Sequence, residues 1–343
     1  MKSQLYYIGL DIHKKTIAWC IKLADGTAVA AGTVKATPMA LRQWAESIKH
    51  PWIGVMEATL FTAWIFDLLK PFTQKLLVAH PLRVKAICSA KKKSDSIDAA
   101  TLADLLRADL IPQVWMAPPE IRHLRDLLRY RTTMVQVATK MKNKMSGLLM
   151  MNGIQYDARK LHQKQYFSEL LTELTDTPSS IIWMMKQSRQ SVQIFSRTQR
   201  DIVSALEKTP LLKERVKRLK TIVGVGSITA LTWALEIGDP NRMGSISKAI
   251  SYCGLCSALE ESAGKQWRNP ISKQRNKHLQ TILIEAAKLA PGHSPYLREL
   301  YERELKRGNR NQATIAVARQ LVTWLMAVDK KKEEFRLPTS MAA

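Results

Sequence analysis

The chain has 343 residues, and its 53 Lys and Arg against 29 Asp and Glu give it a formal net charge of +24 at pH 7. This excess is larger than solubility requires and predicts a polyanionic partner, with nucleic acid favoured over the competing target, an anionic membrane. No apolar run approaches membrane-spanning length and no signal peptide is visible, so the sequence predicts a cytoplasmic nucleic-acid-binding protein with no membrane segment. The length allows two or three domains.

The first segment, residues 1–117, has an α/β pattern. Its apolar and amphipathic runs predict, in chain order, strands at 6–10, 16–23 and 28–34, a helix at 39–48, a strand at 52–56, a helix at 59–69 and a strand at 75–79. Three antiparallel strands followed by alternating helices and strands are the order of an RNase H-like fold, which we therefore predict for this segment.

Four acidic residues stand where their carboxylates could meet in that fold. Asp11 follows the first predicted strand and Glu57 the fourth, while Asp95 and Asp98 lie on one face at the start of a helix that Ser94 begins. Such a cluster repels itself unless cations are bound, and Mg²⁺ prefers carboxylates together with water and phosphate oxygens. Paired metals of this kind support in-line attack on a phosphodiester, so we predict a catalytic Mg²⁺ site. Taken singly, each residue is more often a turn, capping or helix-dipole residue.

A basic run lies between the last predicted strand and that helix. It contains Arg83 and Lys85, followed by Lys91, Lys92 and Lys93. Such a run is usually only a solvated surface. Because it directly precedes two predicted metal ligands, we interpret it as a phosphate contact.

The second segment, residues 118–218, has no strand signals and predicts long helices. One of them carries a heptad seam with two polar interruptions: Ile181, Met185, Ser188, Val192, Phe195, Gln199, Ile202 and Leu206. The seam suits a coiled-coil arm or an antiparallel helical hairpin, and an ordinary helical bundle packed on its own chain is the alternative. The first helix of the segment carries enough basic residues to lie along a nucleic-acid backbone: Arg122, Arg125, Arg129, Arg131, Lys140, Lys142 and Lys144.

The third segment, residues 219–330, is predicted to be mostly helical and begins at a glycine turn. Gly224 and Gly226 stand in a pattern that resembles a helix-hairpin-helix, in which glycines let a phosphate approach backbone N–H groups at a helix N-terminus. Plain packing is the alternative explanation of this turn. Further on, a polar loop is predicted at residues 260–265, and Lys273 lies in a basic run that leads into the next helix.

Two other features of this segment give weaker evidence about function. Cys253 and Cys256 have the spacing of zinc or redox sites, but a zinc site would need two more ligands at short spacing. We interpret both as small buried residues. Residues 297–330 predict a last, basic pair of helices, and residues 331–343 a frayed tail.

Taken in order, these motifs resemble the DEDD tetrad and the C-terminal signature of the IS110 family of bacterial insertion-sequence transposases, which includes the pilin-gene-inverting recombinase. The N-terminal motifs are Ile-Gly-Leu-Asp-x-His-Lys at 8–14, Met-Glu-Ala-Thr at 56–59 and Ser-Asp-x-x-Asp-Ala at 94–99. The C-terminal signature is matched at residues 223–226, 236–239, 253–255 and 271–273.

The resemblance implies a RuvC-like N-terminal domain and a C-terminal transposase domain with a serine nucleophile, which corresponds to Ser262. It implies a homo-oligomer, dimer or tetramer, in which the metal-bound tetrad of one subunit and the serine of another form one centre. It also implies a structured non-coding bridge RNA that pairs with donor and target DNA. By chemistry alone Ser245, Ser257 and Ser272 compete with Ser262, since each carries a hydroxyl that could form a phosphoseryl bond.

Two other functions stay open. A RuvC-like junction endonuclease would use the four carboxylates without a covalent step and would not need Ser262. A catalytically silent relative would bind nucleic acid only, which the presence of all four carboxylates disfavours.

Overall fold

The computed structural model describes residues 4–88, 94–262 and 265–337, and the side chains of all of these except residues 258–269. The chain divides into two compact units, Met1–Pro119 and Glu120–Ala343. No helix within the described ranges combines the length and apolar character that crossing a bilayer requires. The division into three segments at residues 117 and 218 stays a prediction.

The first unit is a mixed sheet with helices on both faces. Its elements are β1 (Tyr6–Ile12), β2 (Thr16–Lys22), β3 (Ala28–Lys35), α1 (Pro38–Ser47), β4 (Trp52–Glu57), α2 (Thr62–Leu69), β5 (Lys75–Ala79), α3 (Pro81–Ile87) and α4 (Asp95–Arg107). The strand order is β3-β2-β1-β4-β5, antiparallel across β1, β2 and β3 and parallel across β1, β4 and β5. This mixed five-stranded sheet confirms the predicted α/β domain and is consistent with an RNase H-like fold.

The alternation of side chains along β1 gives each face of the sheet its own core. Ile8 and Leu10 are fully buried in a cluster that includes Leu41 of α1 and Ile65 of α2. On the opposite face Val55 of β4 packs in a cluster that α4 supplies with Leu102, Leu105 and Leu106. The two faces therefore have separate roles, and α4 covers only one of them.

Two boundaries in this unit differ from the predicted ones by more than one residue, and one helix was not predicted. Asp11 lies inside β1 rather than after it, because β1 stays paired with β2 as far as Ile12. The helix predicted from residue 59 begins at Thr62, because the Thr62 hydroxyl donates to the Glu57 carbonyl at 3.0 Å and holds the preceding residues in a turn. Helix α3, which begins at Pro81, has no counterpart among the predicted helices.

The second unit is helical except for one hairpin. Its elements are α5 (Pro119–Met151), α6 (Lys164–Glu173), α7 (Ser179–Lys208), α8 (Pro210–Leu219), α9 (Ser227–Ile237), α10 (Ile246–Tyr252), β6 (Ser257–Ser262), β7 (Lys265–Ile271), α11 (Lys277–Leu289), α12 (Pro295–Arg307) and α13 (Arg310–Lys331). Helical character after the α/β domain is confirmed. The predicted last pair of helices is present, but α13 is a core helix rather than a basic surface helix, with Leu321 and Leu325 fully buried.

Helices α5 and α7, which we call the arm, share a hydrophobic core at each of their ends. α5 has 33 residues, which at 1.5 Å per residue is about 50 Å. Near its start Leu128 shares a core with Leu206 at the end of α7, whereas Met145 near its end shares another core with Met185 at the start of α7. The predicted seam on α7 is buried at both ends and only half-buried at its middle, around Phe195. A coiled coil stays a prediction.

Residues 260–262 and 265, predicted as part of a loop, lie instead in two antiparallel strands that form a hairpin. These strands pair from Ser257 opposite Ile271 to Ser262 opposite Lys265. Residues 263 and 264, the rest of the predicted loop, lie outside the described ranges.

Candidate active site

Asp11 and Glu57 lie side by side at the carboxyl ends of two neighbouring strands. β1 and β4 are parallel, and the last residues that pair between them are Leu10 and Met56. Asp11 and Glu57 are the next residue of each strand, in the same register. Val55 belongs to the core that α4 covers, and Glu57 is two residues further along the same strand. Because side chains two residues apart share a face, Glu57 projects from the face that α4 covers.

Gly9 explains how α4 comes close enough to Asp11 to share its site. A Cβ built on Gly9 would lie 2.0 Å from the Ala99 carbonyl oxygen and 2.6 Å from the Ala103 nitrogen, so the backbone of α4 rests directly on β1. Asp11, two residues beyond Gly9, projects from the same face. The glycine of the predicted motif therefore serves helix packing, and this packing places the start of α4 beside the carboxylate.

The start of α4 supplies two further carboxylates. Ser94 is its N-cap and accepts a hydrogen bond from the Ile97 nitrogen at 3.3 Å, as predicted from the sequence. Asp95 and Asp98 occupy the first turn. Carboxylates there are favoured by the helix dipole, which remains the alternative explanation of their presence.

The His13 side chain contacts a carboxylate from β1 and a carboxylate from α4. Its Nε2 lies 3.0 Å from Asp11 Oδ2 and 3.3 Å from Asp95 Oδ1. One ligand atom each of Asp11, His13 and Asp95 lies within 4.8 Å of the others, so this group could hold a metal ion. Glu57 and Asp98 are outside this closest group. The two carboxylates of this group are donors that Mg²⁺ prefers, whereas the imidazole of His13 is a donor that suits transition metals.

The electrostatics of the group follow from burial and from like charges. Burial raises the pKa of the Asp11 carboxyl, His13 opposes that rise, and the charges of Asp95 and Asp98 add to it. For His13, burial lowers the pKa, but the charges and hydrogen bonds of Asp11 and Asp95 outweigh burial and raise it overall. Negative charge therefore accumulates at this edge of the sheet, where a cation would offset it.

His13 stood in the predicted motif but was not among the predicted ligands. Its placement depends on the connection between β1 and β2, where the His13 nitrogen donates to the Thr16 carbonyl at 2.9 Å. The sequence signal for His13 is its position two residues after Asp11, because side chains two residues apart on an extended chain lie on the same face.

The predicted phosphate contacts of this unit are only partly described. Arg83 and Lys85 are exposed on α3, whose neighbouring Val84 is buried. Lys91, Lys92 and Lys93 lie outside the described residues. The role of all five in binding nucleic acid stays a prediction.

Ser262 ends β6 at the tip of the hairpin, opposite Lys265. Its side chain lies outside the described ones. At the other end of the hairpin Lys273 is exposed, and the Ser272 nitrogen donates to the Cys256 carbonyl at 3.0 Å. Cys253 is fully buried, and burial raises the pKa of its thiol to about 12. A small buried residue is therefore the right interpretation of Cys253.

The two glycines of the predicted phosphate-binding turn have different environments. Gly224 has φ +84°, and a Cβ there would lie 2.5 Å from the Ala290 Cβ, so backbone conformation and packing already require glycine. Gly226 is exposed, has open space around it and precedes α9 without a side-chain cap. Gly226 therefore has no packing reason to be glycine, but the Glu207 carboxylate already hydrogen-bonds Ser227, the first residue of α9, so phosphate binding at this turn stays a prediction.

Two of the basic residues on α5 are not available to follow a nucleic-acid backbone. Arg129 donates two hydrogen bonds of 2.9 Å to the buried Glu236, and Arg125 donates to the Leu235 carbonyl at 3.1 and 2.8 Å. That part of the prediction is wrong, because their charges are used inside the unit. Lys140 and Lys144, further along α5, are exposed.

Known families and proteins match both halves of the chain. A transposase family model of the DEDD type from IS110 matches residues 8–152, and a model of the transposase IS116/IS110/IS902 family matches residues 216–302. The first range contains Asp11, Glu57, Asp95 and Asp98, and the second contains Ser262.

Three similar proteins agree with these matches. The putative transposase y4qE of Sinorhizobium fredii is 24% identical over 286 residues, which are 82% of this chain and 70% of that protein. The transposase for insertion sequence element IS1111A of Coxiella burnetii is 26% identical over 268 residues, 75% of this chain and 71% of that protein. The pilin gene-inverting protein of Moraxella bovis is 26% identical over 191 residues, 54% of this chain and 59% of that protein.

Proposed function

Because the chain belongs to the IS110 family of transposases, and so acts in DNA transposition or recombination, we propose that it cuts and rejoins DNA at the carboxylate group of its first unit. The observation that carries this proposal is the meeting of Asp11, from β1, with Asp95, from the start of α4, on either side of His13. Asp11, Glu57, Asp95 and Asp98 would hold Mg²⁺, which when bound neutralises carboxylates and binds oxygens of the scissile phosphate.

Ser262 is the proposed nucleophile. Its hydroxyl oxygen forms a bond to phosphorus while the bond from phosphorus to the leaving deoxyribose oxygen breaks. The seryl proton passes to a neighbouring base, and the leaving oxygen takes a proton from water and becomes a hydroxyl. The phosphoseryl bond conserves the energy of the broken phosphodiester, so attack by a deoxyribose hydroxyl rejoins DNA and releases the serine. The hairpin tip is a fitting place for such a residue, because a tip can enter a site that another subunit provides.

Metal removal tests the carboxylate site. We expect EDTA to abolish strand cleavage and added Mg²⁺ to restore it. We expect Asp98→Ala to lose cleavage while it still binds DNA, because the variant removes a metal ligand but no cationic side chain. Asp104→Asn is the matched control, since Asp104 lies on the same helix and is paired with Lys22 at 2.6 Å, away from the site.

Isothermal titration with Mn²⁺ gives a second readout, in which Asp98→Ala should bind more weakly than the control. Cleavage by Asp98→Ala at the wild-type rate would remove Asp98 from the site. Cleavage that persists in EDTA would rule out the metal mechanism itself.

We also propose a structured bridge RNA as partner, together with donor and target DNA. The net charge of +24 supports this, as do exposed basic side chains on α3, on α5 and at Lys273. The purified protein is expected to carry one discrete, structured RNA, identified by sequencing, and ribonuclease treatment is expected to abolish recombination. Random cellular RNA, with full DNA activity after that treatment, would exclude a guide.

A further inference from the structure

Glu236 is a buried carboxylate at the C-terminal end of α9, where a negative charge is unfavourable. The residue is 1% exposed, and the negative end of the helix dipole lies at the same place. Burial raises its pKa, but hydrogen bonds and charge from Arg129, a hydrogen bond from Asn276 and the charge of Arg125 outweigh burial and lower it overall. Glu236 is therefore held in its ionised form by donors from other elements.

The cations come from the arm. Arg129 of α5 binds both carboxylate oxygens of Glu236 at 2.9 Å. Arg125, one turn earlier, has its Nε 3.7 Å from the same carboxylate and donates to the carbonyl of Leu235 beside it. The N-terminal half of α5 is thus tied to the end of α9 by paired, charge-assisted hydrogen bonds.

The amide donor comes from the other side, from the root of the β6–β7 hairpin. The Asn276 side chain donates to Glu236 Oε2 at 2.8 Å, while its own Oδ1 caps α11 by accepting from the His278 and Leu279 nitrogens. The Asn276 nitrogen donates to the carbonyl of Tyr252, the last residue of α10, at 3.0 Å. The segments before β6 and after β7 are therefore joined to each other and to Glu236.

Further contacts close the same root. The Gln280 side chain donates to the Gly254 carbonyl at 2.6 Å, and Arg319 of α13 donates to the Leu255 carbonyl at 2.8 Å. Gly254 has φ +70°, and a Cβ there would lie 2.4 Å from the Arg275 Cβ. The root of the hairpin is thus firmly held, so its link to the arm through Glu236 can set the direction of the whole hairpin.

We propose that Glu236 is a positioning residue for the recombination reaction, joining the arm to the hairpin root and so fixing how the hairpin presents Ser262. The inference rests on the proposed role of Ser262. Replacing a buried carboxylate together with its arginine partners by apolar side chains of similar volume is often neutral for stability, so stability alone does not require an ionised network at this place. An ionised Glu236 is explained by its coupling of the arm to the hairpin root, which must keep a fixed direction relative to each other.

The second unit offers a matched control for this network. Asp329 of α13 is also buried, accepts 2.7 and 2.6 Å hydrogen bonds from Arg215 of α8, and accepts a third of 2.9 Å from Trp233 of α9. It is a carboxylate of the same kind, with a bidentate arginine and one neutral donor. None of its partners belongs to the hairpin root.

The test compares Glu236→Gln with Asp329→Asn in the full-length protein. Both substitutions are expected to lower the melting temperature. Glu236→Gln is also expected to speed hydrogen–deuterium exchange in peptides from residues 257–271 and to slow covalent adduct formation with DNA at least about tenfold. Asp329→Asn should leave hairpin exchange unchanged and adduct formation within about twofold of wild type.

Arg129→Lys keeps the charge but loses the paired hydrogen bonds, so it should also speed hairpin exchange and slow adduct formation, each by less than Glu236→Gln does. If the Glu236→Gln protein does not fold, Arg129→Lys takes its place in the test. Equal effects of the Glu236 and Asp329 substitutions on the hairpin would overturn the positioning role. If the Ser262→Ala protein still forms the covalent adduct, the role of Ser262 as nucleophile is wrong. Hydrogen–deuterium exchange of the hairpin in Glu236→Gln protein would still decide whether Glu236 orders the hairpin.

Discussion

Asp11→Ala protein and Ser262→Ala protein are each expected to leave DNA uncut, and a mixture of the two is expected to recover part of the cleavage. Asp11 is the carboxylate that His13 contacts at 3.0 Å, and its removal takes a ligand from the metal site. Ser262→Ala removes the proposed nucleophile. We expect each loss to reach at least about 10³-fold, the scale of losing an essential catalytic group.

Recovery is expected because a mixed assembly contains one intact tetrad and one intact serine. The measurement is strand cleavage of DNA with the element's ends, with the two proteins combined before DNA is added. Asp11→Ala mixed with Asp98→Ala is the control, because every tetrad in that mixture lacks a ligand, and it should stay inactive. If the first mixture stays inactive although tagged subunits demonstrably co-purify, the serine acts on the tetrad of its own chain.

Gly9→Ala is expected to lower strand cleavage by at least about 10²-fold although it changes no catalytic group. The new Cβ would lie 2.0 Å from the Ala99 carbonyl oxygen, so α4 must move away from β1 by about 1 Å or more to restore van der Waals contact. Asp95 and Asp98 move with that helix, away from Asp11. A displacement of this size is enough to disable a metal site built from two elements.

Gly54→Ala is the matched control for this substitution. Gly54 pairs with Ile8 on the neighbouring strand, and its added Cβ would meet only side-chain atoms, of Trp52 at 2.6 Å and Leu76 at 3.0 Å, on the face that α4 does not cover. Each variant should lose about 1–3 kcal/mol of stability from overpacking. Wild-type cleavage by folded Gly9→Ala protein would show that the position of α4 on β1 does not matter for the reaction.

Much of the first unit could be predicted from sequence because β1, β2, β4 and β5 contain buried apolar runs, whereas the exposed β3 was indicated by the turn signal before it and by its small and β-branched residues. The order of strands, and the α/β class with it, follows from such runs. The carboxylates could be placed on their elements for the same reason, and Ser94 as a helix cap has a local signal. The close approach of α4 could not be predicted, since it depends on which glycine faces a helix across the sheet.

Two of the features that sequence patterns missed depend on distant partners. His13 reaches Asp95, which lies 82 positions later in the chain. In the sequence, Arg125 and Arg129 have the pattern of surface cations on an amphipathic helix. Their partners in the structure, the Leu235 carbonyl and Glu236, lie more than a hundred residues later in the chain. The β6–β7 hairpin was not predicted because most of its residues are polar and its few apolar residues show no regular alternation.

The most direct measurement is to identify the residue that becomes covalently joined to DNA during cleavage. Wild-type protein, trapped on DNA in Mg²⁺ and digested with trypsin and nuclease, should yield a nucleotide-bearing peptide of residues 249–265, with fragmentation placing the phosphate on Ser262 rather than on Ser251 or Ser257. The adduct should be absent with Asp11→Ala protein. Strand cleavage without any adduct would instead identify a RuvC-like junction endonuclease, and a phosphate on another residue would contradict the role given to Ser262.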